Sequence, residues 1–249
     1  MKITCVIPAR FSSSRFPGKP LSDIWGHPMV WWVYQRCMRA SGVDEVLVAT
    51  DDRRIEDICK KYDMKCTLTD GDCPTGVDRA AEVAAKTDSN VYLLVQGDEP
   101  CIETKFIEKM CAIIRNDTDV SYVRTFRTAI HNPVDVVNMT VIKIVTAKDN
   151  SVLFASRSPI PYPKGNVSFC YYKSVGIYAY PREILLQYPK FSKGVLELAE
   201  DHDFMRLLEN GVMIKAFPVD SETISVDTLK DLERVKEVLK NDEFACKKC

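Results

Sequence analysis

The residues with the clearest capacity for chemistry lie in one loop, residues 8–21, which reads P-A-R-F-S-S-S-R-F-P-G-K-P-L. Three cations, Arg10, Arg15 and Lys19, fall within ten residues of a segment rich in Ser, Gly and Pro. Small residues let backbone N–H groups approach an anion, and cationic side chains neutralise phosphate charge. The loop lacks the G-x-x-x-x-G-K-[ST] spacing of the usual P-loop. It is therefore either another kind of phosphate-binding loop or a solvated basic surface loop.

Carboxylates supply the second set of candidates. Asp98 and Glu99 directly follow the apolar run at residues 91–96, and a magnesium ion commonly takes one or two carboxylates while phosphate supplies other ligands. Asp98 is the preferred ligand, and the alternative is a turn with two exposed acids. Asp227 and Thr228 directly precede a helical pattern, where capping of the helix competes with metal binding.

An alternation of strands and helices must position these residues. Apolar runs typical of buried parallel strands lie at residues 3–8, 45–50, 91–96 and 120–124, and helical patterns lie at 29–40, 54–61, 77–86 and 103–115. The alternation predicts an α/β fold with a doubly wound, mostly parallel, Rossmann-like sheet. Ligands bind such sheets beyond the carboxyl ends of the strands, where both the cationic loop and Asp98 fall. This position favours the phosphate-binding interpretation.

The pattern changes after about residue 126. Predicted strands at residues 141–145, 152–155 and 173–180 are joined by Pro-rich connections, and helices return at 196–209 and 229–240 around a strand at 213–217. The order predicts one domain over residues 1–249 that contains an inserted, antiparallel, strand-rich extension at residues 127–180.

The bulk composition restricts the kind of partner. The chain is 46% hydrophobic and 28% charged with a net charge of -1, which supports neither a nucleic-acid nor a membrane-surface partner. The first apolar run is too short for a signal peptide and no apolar stretch approaches ~18 residues, so we expect a cytoplasmic protein. The ten cysteines are scattered and are expected to be free. The Cys246/Cys249 pair is weak evidence for zinc and more typical of a disordered tail.

The motifs identify a family resemblance. In order, the chain contains P-A-R-x-x-S-x-R-x-P-G-K-P-L at 8–21, V-A-T-D at 48–51, T-G-x-D-R-x-A-E at 75–82, V-Q-G-D-E-P at 95–100, G-I-Y-x-Y at 176–180 and V-D-T-x-x-D-L-E-R-V at 226–235. With these motifs it resembles the CMP-sugar synthetases, most closely the 3-deoxy-manno-octulosonate cytidylyltransferases (CMP-Kdo synthetases). The resemblance implies a sheet of the nucleotide-diphospho-sugar transferase type. It also implies transfer of CMP from CTP to a 2-keto-3-deoxy sugar acid, with release of pyrophosphate.

The resemblance also implies roles for individual residues. Nucleotide binding is implied for residues of three motifs: Arg10, Arg15, Lys19, Arg79 and Gln96. Asp98 and Asp227 would hold the cofactor, Mg²⁺, so that Asp227 would be more than a helix cap. Lys19, Arg10 and Asp98 would be the catalytic residues, without a dedicated general base. The implied partners are CTP and a small acidic sugar, together with a second copy of the chain in a homodimer paired through the inserted strands.

The acceptor side departs from the octulosonate pattern. Ser174 stands where those enzymes usually have His, Thr140 where they have Asn, and Phe204 where they have Gln, and His202 and Asp203 also differ. A site built to bond a hydroxyl discriminates by about 10⁴-fold or more. The substitutions therefore predict either a changed acceptor, such as a modified octulosonate, a nonulosonate or a phosphonate, or tolerated changes in a divergent octulosonate enzyme. The acids beside His202 are interpreted as a solvated or acceptor-facing patch.

Two further hypotheses stay open. The same fold could use another nucleotide, since no base-reading motif is evident from the residues alone. From a different class, the chain could be a non-catalytic nucleotide-binding protein, although such a protein would not need both Asp98 and Asp227.

Overall fold

The computed structural model describes residues 1–12, 16–71, 73–165, 168–220 and 224–245. Arg15 and the Cys246/Cys249 pair lie outside these ranges, so what was expected of them stays a prediction.

The described elements form two compact units, Met1–Thr118 with Thr223–Cys249, and Asp119–Glu222. The strands are β1 (Ile3–Pro8), β2 (Asp23–Ile24), β3 (His27–Pro28), β4 (Glu45–Thr50), β5 (Cys66–Leu68), β6 (Val91–Val95), β7 (Tyr122–Ala129), β8 (Lys143–Thr146), β9 (Val152–Ser156), β10 (Tyr172–Pro181) and β11 (Met213–Pro218). The helices are α1 (Met29–Arg39), α2 (Arg53–Lys61), α3 (Gly76–Lys86), α4 (Thr104–Asn116), α5 (Pro133–Val137), α6 (Arg182–Gln187), α7 (Val195–Glu200), α8 (Asp203–Glu209) and α9 (Leu229–Leu239).

The first unit contains a parallel sheet with the strand order β6–β1–β4–β5. All residues from Ile3 to Ile7 of β1 are buried, which explains why this strand reads as a continuous apolar run rather than an alternating one. The strands predicted at residues 3–8 and 45–50 have the observed bounds of β1 and β4. Because parallel strands end at the same edge, the segments after β1, β4, β5 and β6 meet there.

The last helix returns the chain to the first unit. Leu232 and Val235 of α9 pack in one buried cluster with Trp32 of α1 and Ile24 of the β2–β3 hairpin. The Trp32 indole Nε1 donates to the backbone carbonyl of Ile24 at 2.8 Å. This packing fixes the start of α9, and with it residues 226–228, although they are distant in sequence from β1 and β6.

The second unit is mostly antiparallel. β10 pairs antiparallel with β7 and with β8, β8 pairs antiparallel with β9, and β11 lies parallel to β7. The register of β10 shifts between Val175 and Tyr178, which marks a bulge. The extension predicted at residues 127–180 falls inside this unit, which spans Asp119–Glu222.

The single helix predicted at residues 196–209 is wrong. The segment forms α7 and α8, separated at Asp201, whose φ of 46° is left-handed. The Arg157 side chain donates to the carbonyls of Glu200 at 2.6 Å and of Asp201 at 2.8 Å. In a continuous helix these two carbonyls would accept backbone N–H groups of the next turn. Here they accept from an arginine that is distant in sequence.

The predicted fold class is confirmed as mixed α/β with a mostly parallel sheet. The cysteines of the described ranges are free, and Cys5, Cys37, Cys59 and Cys111 are buried. Within those ranges no helix combines the length and apolar character needed to cross a membrane.

Candidate active site

The loop after β1 brings a lysine back to the edge of the sheet. Gly18 adopts a left-handed φ of 71°, and its N–H donates to the carbonyl of Phe11 at 2.8 Å. A Cβ on Gly18 would lie 3.2 Å from the Phe11 ring, so glycine suits both the turn and the packing. The loop then enters a short 3₁₀ helix, Lys19–Leu21, which starts with the lysine that the sequence analysis selected.

The segment after β6 approaches β1 closely. A Cβ on Gly97 would lie 2.6 Å from the carbonyl oxygen of Pro8, a separation that no other residue could accept without backbone movement. Gly97 therefore lets Gln96 and Asp98 lie beside the end of β1. The carbonyl of Asp98 accepts the N–H of Val226 at 2.9 Å, which joins this turn to the segment before α9.

The N-cap of α9 is the residue after Asp227. Thr228 is the N-cap: its hydroxyl accepts the N–H of Asp231, and the Asp231 carboxylate accepts the N–H of Thr228 at 2.8 Å. This reciprocal arrangement is a capping box. Asp227 is therefore not the residue that caps α9, because the neighbouring threonine does so.

Lys19 lies between the two aspartates. Its Nζ donates to Asp98 Oδ2 at 2.8 Å and to the Val226 carbonyl at 2.8 Å, and it lies 3.7 Å from Asp227 Oδ1. Two carboxylates and a carbonyl thus converge on one cation. Hard oxygen donors in this number are what a magnesium ion takes from a protein, with the rest of its ligands from phosphate and water.

The donor set also limits the kind of metal. No group of three or more His, Cys, Asp or Glu side chains is arranged around a possible metal position in the part of the chain that the structure describes. The pair Asp98 and Asp227 fits an ion that relies on a substrate for further ligands rather than a structural metal enclosed by protein.

Arg79, near the start of α3, brings a second cation to the same edge. Its side chain is buried, and its Nη2 lies 3.2 Å from Asp51 Oδ2, while Nη1 donates to the Thr69 hydroxyl. Asp51 follows β4 and Thr69 follows β5. Sequence analysis noted Asp51 within a motif but gave neither residue a role.

A pocket of about 170 Å³ joins these groups. It is lined by Pro8, Ala9, Arg10, Lys19, Pro20, Cys73, Thr75, Gly76, Arg79, Gln96, Gly97, Asp98 and Asp227. All the predicted site residues that the structure describes are among them. Three small lining residues were not predicted: Ala9, Gly76 and Gly97. Ala9 and Gly97 follow the ends of β1 and β6, and Gly76 starts α3. Their positions beside predicted strand ends or at the start of a predicted helix could have identified them from the sequence.

Cys73 is a further lining residue that sequence reasoning missed. Its Sγ donates to Glu82 Oε2 at 3.4 Å. Burial, reinforced by the hydrogen bond to Glu82, raises the pKa of the Cys73 thiol to about 11. The group is therefore a neutral thiol near pH 7 and adds no negative charge to a pocket that contains three cations.

Comparison with known proteins identifies the family. The sequence pattern of the cytidylyltransferase family matches residues 4–224. The chain belongs to the cytidylyltransferase family. Within the family, the 3-deoxy-manno-octulosonate cytidylyltransferases of Geotalea uraniireducens (strain Rf4) and Escherichia coli are 43% and 39% identical to it. The matches cover 96% of this chain in both cases, and 100% and 96% of the relatives.

Solved structures agree with this assignment. A CMP:2-keto-3-deoxy-manno-octonic acid synthetase complexed with CTP superposes with a TM-score of 0.91 at 39% identity, over 96% of this chain and 99% of that one. A cytidylyltransferase from Leptospira borgpetersenii, with a TM-score of 0.65 and 16% identity over 96% of this chain and 87% of its own, shares the fold. The resemblance to the CMP-Kdo synthetases is confirmed.

The acceptor-side residues that the sequence analysis contrasted with the octulosonate pattern lie in the second unit. Phe204 is buried, with its ring edge-on to Tyr178 at 5.1 Å and to His202 at 4.9 Å between centroids. Ser174 Oγ and His202 Nδ1 are buried, and neither has a hydrogen-bond partner among the described residues. Thr140 is exposed, and its hydroxyl donates to Asn138 Oδ1 at 2.9 Å.

His202 is held in its neutral form. Burial is the main cause, and Arg157 adds to it, so that the pKa of the imidazole is lowered from 6.5 to about 4. Lys143, also buried, has its pKa lowered by burial, and its Nζ donates to the carbonyls of Asn138 and Val141 at 2.8 Å. The second unit of the cytidylyltransferase thus contains polar groups taken out of water.

Proposed function

We propose that the protein transfers CMP from CTP to a 2-keto-3-deoxy sugar acid, 3-deoxy-manno-octulosonate or a relative, and releases pyrophosphate. The observation that carries the proposal is the pocket at the strand ends, in which Arg10, Lys19 and Arg79 meet Asp98 and Asp227. The names of the relatives, and the CTP bound by the synthetase with a TM-score of 0.91, support the choice of nucleotide and acceptor.

The chain's own residues would act mainly by positioning and by charge neutralisation. The anomeric hydroxyl of the acceptor attacks the α-phosphorus of CTP, the bond from that phosphorus to the bridging oxygen breaks, and pyrophosphate leaves in line. Arg10 and Lys19 would neutralise charge that develops on the leaving group, in a pocket where such interactions are stronger than in water. Arg79 and Gln96 would bind the nucleotide. Arg15, from the same loop as Lys19, is proposed to bind the triphosphate.

Asp98 and Asp227 would hold Mg²⁺, and the bound ion would supply phosphate charge neutralisation and a lowered pKa for the attacking hydroxyl. The fit rests on the convergence of both carboxylates on one cation, the Lys19 ammonium. Lys19 would move towards the triphosphate when the metal and the nucleotide bind.

A different acidic acceptor is the second candidate, favoured by the second unit. The Phe204 ring packs on Tyr178 and His202 where the octulosonate pattern has a hydrogen-bonding Gln. Ser174 and His202 present buried polar atoms in place of the usual residues. Hydrogen-bonding groups set acceptor preference more strongly than apolar ones. The acceptor for such a changed set of hydrogen-bonding groups would be a modified octulosonate, a nonulosonate or a phosphonate.

The test is pyrophosphate release with CTP and Mg²⁺ against octulosonate, its 8-amino analogue, a sialic-type acid and a phosphonate. Turnover confined to octulosonate supports the first candidate, and turnover confined to another acid supports the second. Omission of Mg²⁺ tests the need for the cofactor. Replacement of CTP by ATP, GTP or UTP tests the choice of nucleotide. A folded protein that binds CTP without turning over any acceptor would favour the non-catalytic hypothesis.

We also propose that the protein is a homodimer that pairs through its second unit. Large apolar side chains are exposed there, including Tyr162 at 85%, Leu153 at 64% and Leu198 at 69%. Phe169 and Tyr171, directly before β10, stack edge-on at 5.2 Å and offer a further apolar contact. Light scattering should give a mass near twice 28.3 kDa, and a monomeric mass would refute the proposal.

The cytoplasmic location stays a prediction, supported by the use of CTP.

A further inference from the structure

The Arg79 guanidinium lies at the pocket wall but is almost excluded from solvent. Only 3% of the side chain is exposed, and Arg79 nevertheless lines the cavity. A cation in this position must be matched by protein groups, because removal from water costs several kcal/mol unless a counter-charge and hydrogen bonds compensate. The residues that match it therefore decide where its remaining N–H groups point.

Two side chains supply this match. Asp51 Oδ2 lies 3.2 Å from Nη2, and the Thr69 hydroxyl accepts from Nη1. Within the described ranges, Asp51 is the carboxylate that forms an ion pair with Arg79. Because one partner binds each terminal nitrogen, rotation of the planar guanidinium is restricted.

The sheet explains why these partners are fixed. Asp51 is the first residue after β4, and Thr69 is the first after β5, the two strands pairing in parallel as far as Thr50 and Leu68. The N–H of Thr69 donates to the carbonyl of Thr50 at 2.8 Å, which extends the ladder to the point where Asp51 begins. Both partners are thus held by backbone pairing rather than by a mobile loop.

We propose that Asp51 and Thr69 are positioning residues that hold the Arg79 guanidinium in the orientation in which it binds the nucleotide. The inference rests on the proposed function, since it takes CTP as the ligand of the pocket. Neither residue needs to touch CTP, and the effect of each passes through Arg79.

The electrostatic alternative predicts the opposite sign, which makes the inference testable. Loss of the Asp51 charge would leave the Arg79 charge uncompensated and, with the orientation kept, would favour an anionic nucleotide and lower the KM for CTP. Loss of orientation would raise that KM instead. A purely structural role would reduce the folded fraction, and so kcat, without a change in KM.

The experiment is a double-mutant cycle in the pyrophosphate assay, with calorimetric titration of CTP as a readout independent of the acceptor. The proteins are wild type, Asp51→Asn, Arg79→Gln and the double variant. We expect Asp51→Asn to raise the KM and the Kd for CTP about 10-fold or more. We expect no further rise from it in the Arg79→Gln background, because the residue through which it acts is then absent.

Asp52→Asn is the matched control, since it makes the same chemical change one residue away. Asp52 caps α2 by accepting the N–H of Arg54 at 2.9 Å and is not a lining residue. This variant should lower the melting temperature and leave the KM for CTP unchanged. Thr69→Val should raise the KM, and Thr69→Ser, which keeps the hydroxyl, should restore it.

The outcomes separate the two proposals. An unchanged or lower KM in Asp51→Asn, or an equal effect of that substitution with and without Arg79, would overturn the positioning role. A wild-type protein that neither binds nor turns over CTP would overturn the proposed function itself.

Discussion

The two units use ion pairs in different ways. In the first unit, Lys19 contacts Asp98 and Asp227 while these side chains remain 16%, 29% and 26% exposed. In the second unit, Arg206 and Glu197 form a bidentate pair at 2.7 and 2.6 Å and are 3% and 6% exposed. Lys19 and its two carboxylates can exchange partners with a ligand, whereas the Arg206–Glu197 pair is already saturated by protein.

The comparison separates a pair that lines a cavity from a pair that is enclosed by protein. Arg206 also lies over the Tyr188 ring at 4.4 Å, so its charge is enclosed on several sides. A buried, saturated pair contributes to the fold, and loss of one partner leaves the other as a buried charge without compensation. A partly exposed cation between two carboxylates lines a cavity that can admit phosphate and metal. Four experiments test this distinction.

The largest effect is expected from Asp98→Ala. Loss of one carboxylate removes a partner of Lys19 and a proposed metal ligand, so pyrophosphate release should fall about 10²- to 10³-fold for every acceptor. Circular dichroism and the melting temperature should stay near those of wild type, because Asp98 is partly exposed.

Glu103→Gln is the control for Asp98→Ala, since Glu103 is an exposed acid whose partner is the exposed Lys105. This variant should retain turnover. A folded Asp98→Ala protein with wild-type turnover would show that the carboxylate pair is as structural as the pair in the second unit.

Arg206→Met should act on stability instead. Removal of the cation leaves Glu197 buried without its counter-charge, and the free energy of unfolding should fall by about 3–5 kcal/mol in urea titration. The double variant Arg206→Met/Glu197→Leu should recover much of the loss, because it leaves no stranded charge. No loss in the single variant would remove the contrast between the units.

Acid should destabilise the second unit through His202. The pKa of this imidazole is lowered to about 4 from 6.5, so the unfolded chain binds the proton more readily than the folded one. The contribution is fully present above about pH 6.5 and is lost as the pH falls towards 4, to the extent of about 3 kcal/mol at most. Unfolding titrations at pH 7 and pH 4.5 should show a smaller pH dependence in His202→Gln than in wild type. An equal dependence in both would show that His202 is accessible to protons in the folded state.

The smallest effect is expected from Phe204→Gln, which restores the amide of the octulosonate pattern. The ratio of kcat/KM for octulosonate to that for the other acids should rise about 10-fold, with the KM for CTP unchanged. Phe204→Leu is the matched control, since it removes the ring without adding a hydrogen-bonding group. A changed KM for CTP and an unchanged acceptor ratio would show that the residue does not act on the acceptor.

Much of the fold was predictable where one physical cause dominates. The bounds of β1 and β4 agree with prediction because these strands are buried and consist mostly of apolar side chains. β5, which ends the sheet and has no buried residue, was missed, since it lacks that signal. The break between α7 and α8 was also missed, because the Arg157 side chain that binds the carbonyls of Glu200 and Asp201 is distant in sequence.

The candidate site was predictable as a set of chemical types, not as a geometry. Arg10, Lys19, Arg79 and Asp98 belong to motifs at strand ends or at the start of a helix, and the alternation of elements places such positions at one edge. The partnership of Arg79 with Thr69 could not be predicted, because a hydroxyl directly after a short edge strand carries no sequence signal of its own.

The sequence alone predicted most strands and helices of the first unit, because local propensity and periodicity act over a few residues. It also contained the cationic loop, the acid after β6 and the motifs of the family resemblance. Tertiary structure alone decided that Thr228 caps α9 and leaves Asp227 to face Lys19, that Asp51 and Thr69 bind Arg79, and that Phe204 packs on Tyr178 and His202. Most of these contacts join residues that are distant in sequence. In the cap of α9, either of two neighbouring residues could have been the capping residue. Packing makes that choice, since only the folded chain fixes which groups lose water and must find partners.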